Sequence, residues 1–106
     1  MNTKWRRFEM LIPLHGNDGT EFPEETLGEA VFEVLDHFRG VSFENATVVG
    51  HWFHEEKLHR DLLSRLTVDV PDTIKNRRWM KAFKGRWKAR LKQLEIWMVS
   101  FRIEVE

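Results

Sequence analysis

Apolar and polar residues take turns at the start of the chain. Phe8, Met10, Ile12 and Leu14 share one parity against Arg7, Glu9 and Leu11, a spacing of two that predicts a half-buried strand. His15-Gly16-Asn17-Asp18-Gly19-Thr20 breaks the pattern with residues that tolerate a positive φ, so a loop follows. The period then changes. Leu27, Val31, Val34, Leu35 and Phe38 recur at helical steps behind Pro23, whose fixed φ suits the first helical position, and Gly40 supplies a C-terminal stop. Glu24 and Glu25 favour the positive end of that helix dipole.

Val48, Val49, Trp52 and Phe53 predict a second strand, with Gly50 marking a bulge or a close approach of another group. Glu55-Glu56-Lys57 is read as a hairpin turn. Leu62, Leu66, Val68 and Val70 share a face of the third strand, with Arg65, Thr67 and Asp69 opposite, and Pro71 ends it. Asp72 or Thr73 can cap a second helix over about residues 74–93, whose apolar stripe is Met80, Phe83, Trp87 and Leu91. The last strand carries Trp97, Val99, Phe101, Ile103 and Val105 on one face. Ile96, Met98, Ser100, Arg102 and Glu104 take the other.

The order β-α-β-β-α-β resembles the ferredoxin-like split βαβ fold over nearly the whole chain. That resemblance implies an α+β protein with a four-stranded antiparallel sheet in the order 4-1-3-2 and both helices on one face. The fold hosts many unrelated functions, so function has to come from particular residues.

The chain has 106 residues, a length that fits a single domain over 1–106. No apolar run approaches the ~20 residues of a membrane span. The apolar stretch behind the basic start from Met1 to Arg7 is short, ends at Pro13-Leu14-His15 and lacks a small-residue cleavage site, so a signal peptide is not expected and the expected address is the cytoplasm. The absence of cysteine removes disulfides, thiol catalysis and thiolate metal sites. Net charge is zero, yet residues 1–74 sum to −7 and residues 75–106 to +7. Such asymmetry points either to a partner or to elements that neutralise each other within the fold.

Helix two is the source of the positive half. It carries Lys75, Arg77, Arg78, Lys81, Lys84, Arg86, Lys88, Arg90 and Lys92 without an acid between them. On a helical wheel Ala82, Gly85 and Ala89 form a smooth strip, flanked by Arg78, Lys81 and Lys92 on one side and by Lys75 and Arg86 on the other. A phosphate backbone or an acidic protein could lie there. The plainer reading matches these cations to Glu25, Glu29, Glu33 and Asp36 of helix one. Base stacking on the open sheet face, in the manner of an RNA-recognition motif, is a poor fit. Arg7, Glu9, Leu11, Arg65, Thr67 and Asp69 include no aromatic ring.

Antiparallel pairing would gather Leu11, Leu63, Ile96 and Met98 into an apolar end of the open sheet face, beside the hairpin that carries Trp52. Such clusters mark interfaces or ligand sites; ordinary packing under an N-terminal segment with Trp5 as its lid is the competing reading. His51, His54 and His59 cluster with Glu55 and Glu56, but their spacing matches no metal signature, and solvated hairpin residues account for them. The glycine loop lacks the lysine of a phosphate-binding loop and is acidic. No serine, histidine and carboxylate fall into a catalytic arrangement, and no cofactor is implied.

The first expectation is therefore a non-catalytic module that self-associates, as a dimer, through the sheet face or the edge strand near Gly50. The second is an anion or nucleic-acid binder using Lys75, Arg78, Lys81, Lys84, Arg86, Lys88 and Lys92. A third is a small-ligand binder or enzyme of the dimeric α+β barrel type with His51, His54 or His59 as polar partners.

Overall fold

The computed structural model describes residues 3–106, with Ala46 and Thr47 as backbone only. Met1 and Asn2, read above as part of the basic start, lie outside the described residues. The elements run β1 (Trp5–Pro13), α1 (Glu24–Phe38), β2 (Ser42–His54), β3 (Lys57–Pro71), α2 (Ile74–Arg90) and β4 (Met98–Ile103). All ladders are antiparallel and the sheet order is β2-β3-β1-β4, the ferredoxin-like arrangement expected from the element order.

One core joins the helices to one face of the sheet. Phe8, Met10 and Ile12 of β1 lie beside Leu66, Val68 and Val70 of β3, and Leu27, Ala30 and Val34 of α1 cover them with Met80, Phe83 and Trp87 of α2. Phe83 is fully buried, which contributes about 1.5–3 kcal/mol from area alone. All four residues of the expected α2 stripe are buried, Leu91 included. The Thr73 hydroxyl accepts from the Asn76 N–H at 3.1 Å and caps α2. At the other end the helix stops at Arg90 rather than near residue 93, because Lys92 turns to a left-handed φ of 52°. Helix α1 ends in the same way on Arg39, φ 68°, one residue before the expected Gly40.

Three features depart from the periodicity reading. The first is the facing of β4. Met98 stands opposite Met10 and Ser100 opposite Phe8, so these residues share the helix-covered face. Ile96 is 1% exposed and belongs to the core, and Met98 packs against it. The apolar row of β4 instead lies on the open face, where Phe101 opposes Arg7 and Val99 opposes Glu9. Second, β2 carries a register shift between Glu44 and Val48 that its periodicity does not reveal, and of the two alternatives at Gly50 it is not the bulge that is found. Gly50 is a close approach instead: a Cβ there would meet Leu63 Cδ1 at 2.9 Å. Third, Trp5 is no lid; it pairs within β1 to Pro71 and Ile103.

The two ends of β3 differ in construction. Pairing with β1 begins at Leu63, while β2 follows β3 out to His54 opposite Lys57. The residues from Gly50 to Asp61 thus form a two-stranded arm beyond the body. It turns on Glu55 and Glu56, both at left-handed φ (51° and 63°), as a two-residue hairpin turn requires. The arm accounts for an elongated outline of 50 × 30 × 23 Å.

At the far end of β3, Asp72 is a hub. Its carboxylate, 2% exposed, accepts from Arg6 Nε at 3.0 Å, from Arg77 Nε at 2.8 Å and Nη2 at 3.1 Å, and from Arg102 Nε at 3.1 Å. The guanidiniums of Arg77, Arg6 and Arg102 hold this carboxyl far below the usual carboxylate range. Strands β1 and β4 and the start of α2 are tied together there.

Candidate functional site

The open sheet face is polar in the middle and apolar towards the arm. In its centre Arg7 donates to both oxygens of Asp69, at 2.8 and 3.0 Å. Arg65 reaches Glu44 at 3.4 Å. Neither β1 nor β3 presents an aromatic ring in this central stretch, as their sequences implied. The outer row of β4 does supply rings: Phe101 is 44% exposed, and Trp97, just before the strand, is 65% exposed.

Towards the arm the face sinks into a cavity of about 330 Å³. Leu11, Pro13 and Leu63 supply apolar wall, and Trp52 of the arm and Trp97 are its two indoles. Polar groups come from three connections: Asn17 from the β1–α1 loop, His51 and Asp61 from the arm, and Gln93 and Glu95 from the α2–β4 link. The packing that positions them is local. Asn17 Nδ2 donates to the Lys92 carbonyl at 2.9 Å, tying the loop to the end of α2. The Leu11 N–H donates to the Trp97 carbonyl at 2.9 Å, extending the sheet past β4. The Trp52 indole N–H donates to Asp61 Oδ2 at 2.6 Å, and its ring stacks on His59 at 4.5 Å. Glu95 Oε1 takes Lys84 at 2.9 Å and the Ile96 N–H at 2.9 Å, which hold its carboxyl below the usual range.

Of the surface set read from the sequence, Leu11, Trp52 and Leu63 do meet at this cavity. Ile96 and Met98 do not, because the β4 register turns them to the core. Nothing in the sequence singles out Asn17, Asp61, Gln93, Glu95 or Trp97 for this place. The apolar parity of β4 is the one available signal for Trp97, and it is compatible with either face.

The histidines separate. His51 lines the cavity, whereas His54 and His59 stand on the arm with ring centroids 6.4 Å apart, His54 being 3.8 Å from the Glu55 carboxylate. Among the described residues no group of three or more His, Asp or Glu side chains is placed to hold a metal ion. His37 lies elsewhere, stacked flat on Trp79 at 4.3 Å.

The basic helix divides too. Arg86 and Arg90 reach across to Glu33 and Glu29 of α1, with Arg90 Nη1 at 2.6 Å from Glu29 Oε2. Arg90 also sits over the Trp87 ring at 4.5 Å. Lys84 and Lys88 face Glu95, at 2.9 and 3.9 Å. Lys75, Arg78, Lys81 and Lys92 make no ion pair with a described residue, and all four are exposed. Among the described residues no helix is long and apolar enough to cross a membrane.

No protein-family model matches the chain, and no curated protein does. Solved structures do. A phage SAM lyase in complex with S-methyl-5'-thioadenosine superposes with a TM-score of 0.72 at 10% identity, covering 100% of this chain and 94% of that one. CutA1 from Oryza sativa gives 0.67 at 10% identity, covering 98% and 84%. The divalent cation tolerance protein CutA1 from Thermus thermophilus gives 0.65 at 12%, covering 96% and 86%. At such identities the likeness is one of fold, and this chain shares with these proteins the ferredoxin-like α+β architecture.

Proposed function

We propose that this chain is a non-catalytic interaction module that self-associates through its open sheet face and the projecting β2–β3 arm. The carrying observation is where the apolar residues stand. An isolated two-stranded hairpin is marginal in water, and this one exposes Phe53 (72%) and Leu58 (57%) at directly opposed positions, on the side of the arm opposite Trp52 and Asp61. Trp97 and Phe101 add exposed rings on a face that neither helix covers. Apolar surface of this kind is favourable only when something removes it from water. A second copy is the partner always present at equal concentration, and a dimer is the simplest closed form. Leu11, Trp52 and Leu63 belong to the proposed surface; the outer edge of β2 near Gly50 borders it.

The test is solution mass by light scattering at low and high salt. Wild type is expected above 12.8 kDa, the mass of one chain, at both. Phe101→Glu is expected to yield a folded monomer. A wild-type monomer at tens of micromolar would overturn the reading.

Anion binding through α2 is the weaker alternative. Four of its nine Lys and Arg between 75 and 92 are held by Glu29, Glu33 and Glu95, and Arg77 by Asp72. That leaves Lys75, Arg78, Lys81 and Lys92 for a phosphate backbone.

A further inference from the structure

We propose that the cavity at the arm end of the open face is a binding site for a small organic cation with a flat, apolar body. Its occupant is a ligand and not a second chain; Leu11, Trp52 and Leu63 line it and also belong to the self-association surface, so a partner copy would border the site. Size comes first: about 330 Å³ falls within the range of small-molecule sites. The lining then sets the chemistry. Its two acidic side chains are Asp61 and Glu95, and no Lys or Arg lines it. Each of these carboxylates uses one oxygen on the protein. Trp52 occupies Asp61 Oδ2, while Lys84, the Ile96 N–H and, at 3.9 Å, Lys88 occupy Glu95 Oε1; no described residue takes Asp61 Oδ1 or Glu95 Oε2.

A ligand with cationic N–H groups satisfies those open oxygens, whereas an anion is repelled by Asp61, which no Lys or Arg neutralises. The two indoles favour the same class, because the negative face of Trp attracts a cation and its area suits a flat ring. Asn17 and Gln93 add amide groups at the rim. The indole of Trp52 is held in place before any ligand arrives, by its bond to Asp61 and its stack on His59. Gly50 keeps the wall thin, since a Cβ there would displace Leu63.

The experiment is a calorimetric titration at pH 7 with three flat molecules of one shape: benzamidine as the cation, benzamide as its neutral counterpart and benzoate as the anion. Saturable binding of benzamidine is expected, with benzamide and benzoate weaker by about tenfold or more, the worth of one charge-assisted hydrogen bond. Asp61→Asn keeps an acceptor for the Trp52 N–H and is expected to lose about tenfold in benzamidine affinity. Glu95→Gln, at an exposed position, supplies the same charge test if Asp61→Asn fails to fold. No saturable heat with benzamidine would overturn the site, as would equal affinities across the three molecules or unchanged affinity in the foldable variants. Light scattering on the same samples keeps the two proposals apart. A monomer that binds benzamidine preserves the site and removes self-association; an oligomer that does not bind it does the reverse.

Discussion

The two ends of β3 solve the same problem in opposite ways. At the Asp72 end, a buried carboxylate and three guanidiniums satisfy one another, and strands β1 and β4 and helix α2 are closed by contacts within the chain. At the arm end, β2 and β3 run on as a ribbon without a third strand, and aromatic and aliphatic side chains face water. Both ends carry groups that are costly in isolation, a buried charge in one case and bare apolar surface in the other. Only the first has its compensation inside the molecule. An outside partner is therefore to be sought at the arm.

Asp72 is where this contrast breaks most readily. Asp72→Ala leaves three cations facing one another, so a fall of several degrees in melting temperature is expected by circular dichroism, the largest of the expected effects. The pH dependence follows from the depressed carboxyl. Stability from this group is complete above the unfolded value of 3.8 and is lost as pH falls below it, because the unfolded chain takes up the proton first. Asp72→Ala should therefore show a flatter stability curve below about pH 4.

At the arm the expected effect is on association, not folding. Phe53→Lys with Leu58→Glu replaces one opposed apolar pair by an opposed ion pair, and the mass in light scattering should fall to one chain with the melt nearly unchanged. The turn offers a smaller change. Glu55→Asn with Glu56→Gly supplies the residues that left-handed φ values favour, and should raise stability by about 0.5–1 kcal/mol in urea titration. Smallest of all, Lys81→Glu removes a cation without a described partner. Its effect in urea titration should stay within about 0.5 kcal/mol, while any salt-sensitive anion binding should weaken.

The Asp72 end and the arm are unequally legible in the sequence. Periods of two and of 3.6 yield the order of elements and the α2 stripe, because those residues face one core. Period alone cannot say which face of a strand the helices cover. In β4 the more apolar parity turns outward, and only pairing of Met10 with Met98 decides the matter. The start of β3 is hidden because Lys57 reads as turn and His59, Arg60 and Asp61 show no apolar alternation; their strand geometry comes from β2 alone. Asp72 looks like a helix cap, since its three arginines come from positions 6, 77 and 102. The cavity groups are scattered likewise, from Asn17 to Trp97, and nothing in their spacing brings them together.

The register shift between Glu44 and Val48 has a consequence for the free edge of β2. A flat, uninterrupted edge invites strand after strand to add, which is how fibrils grow. Here a newcomer pairing along β2 would lose alignment at the bulge and hold only a short stretch on either side. Open-ended stacking is thereby checked by the backbone itself, and the self-association proposed for the arm would proceed without seeding a filament.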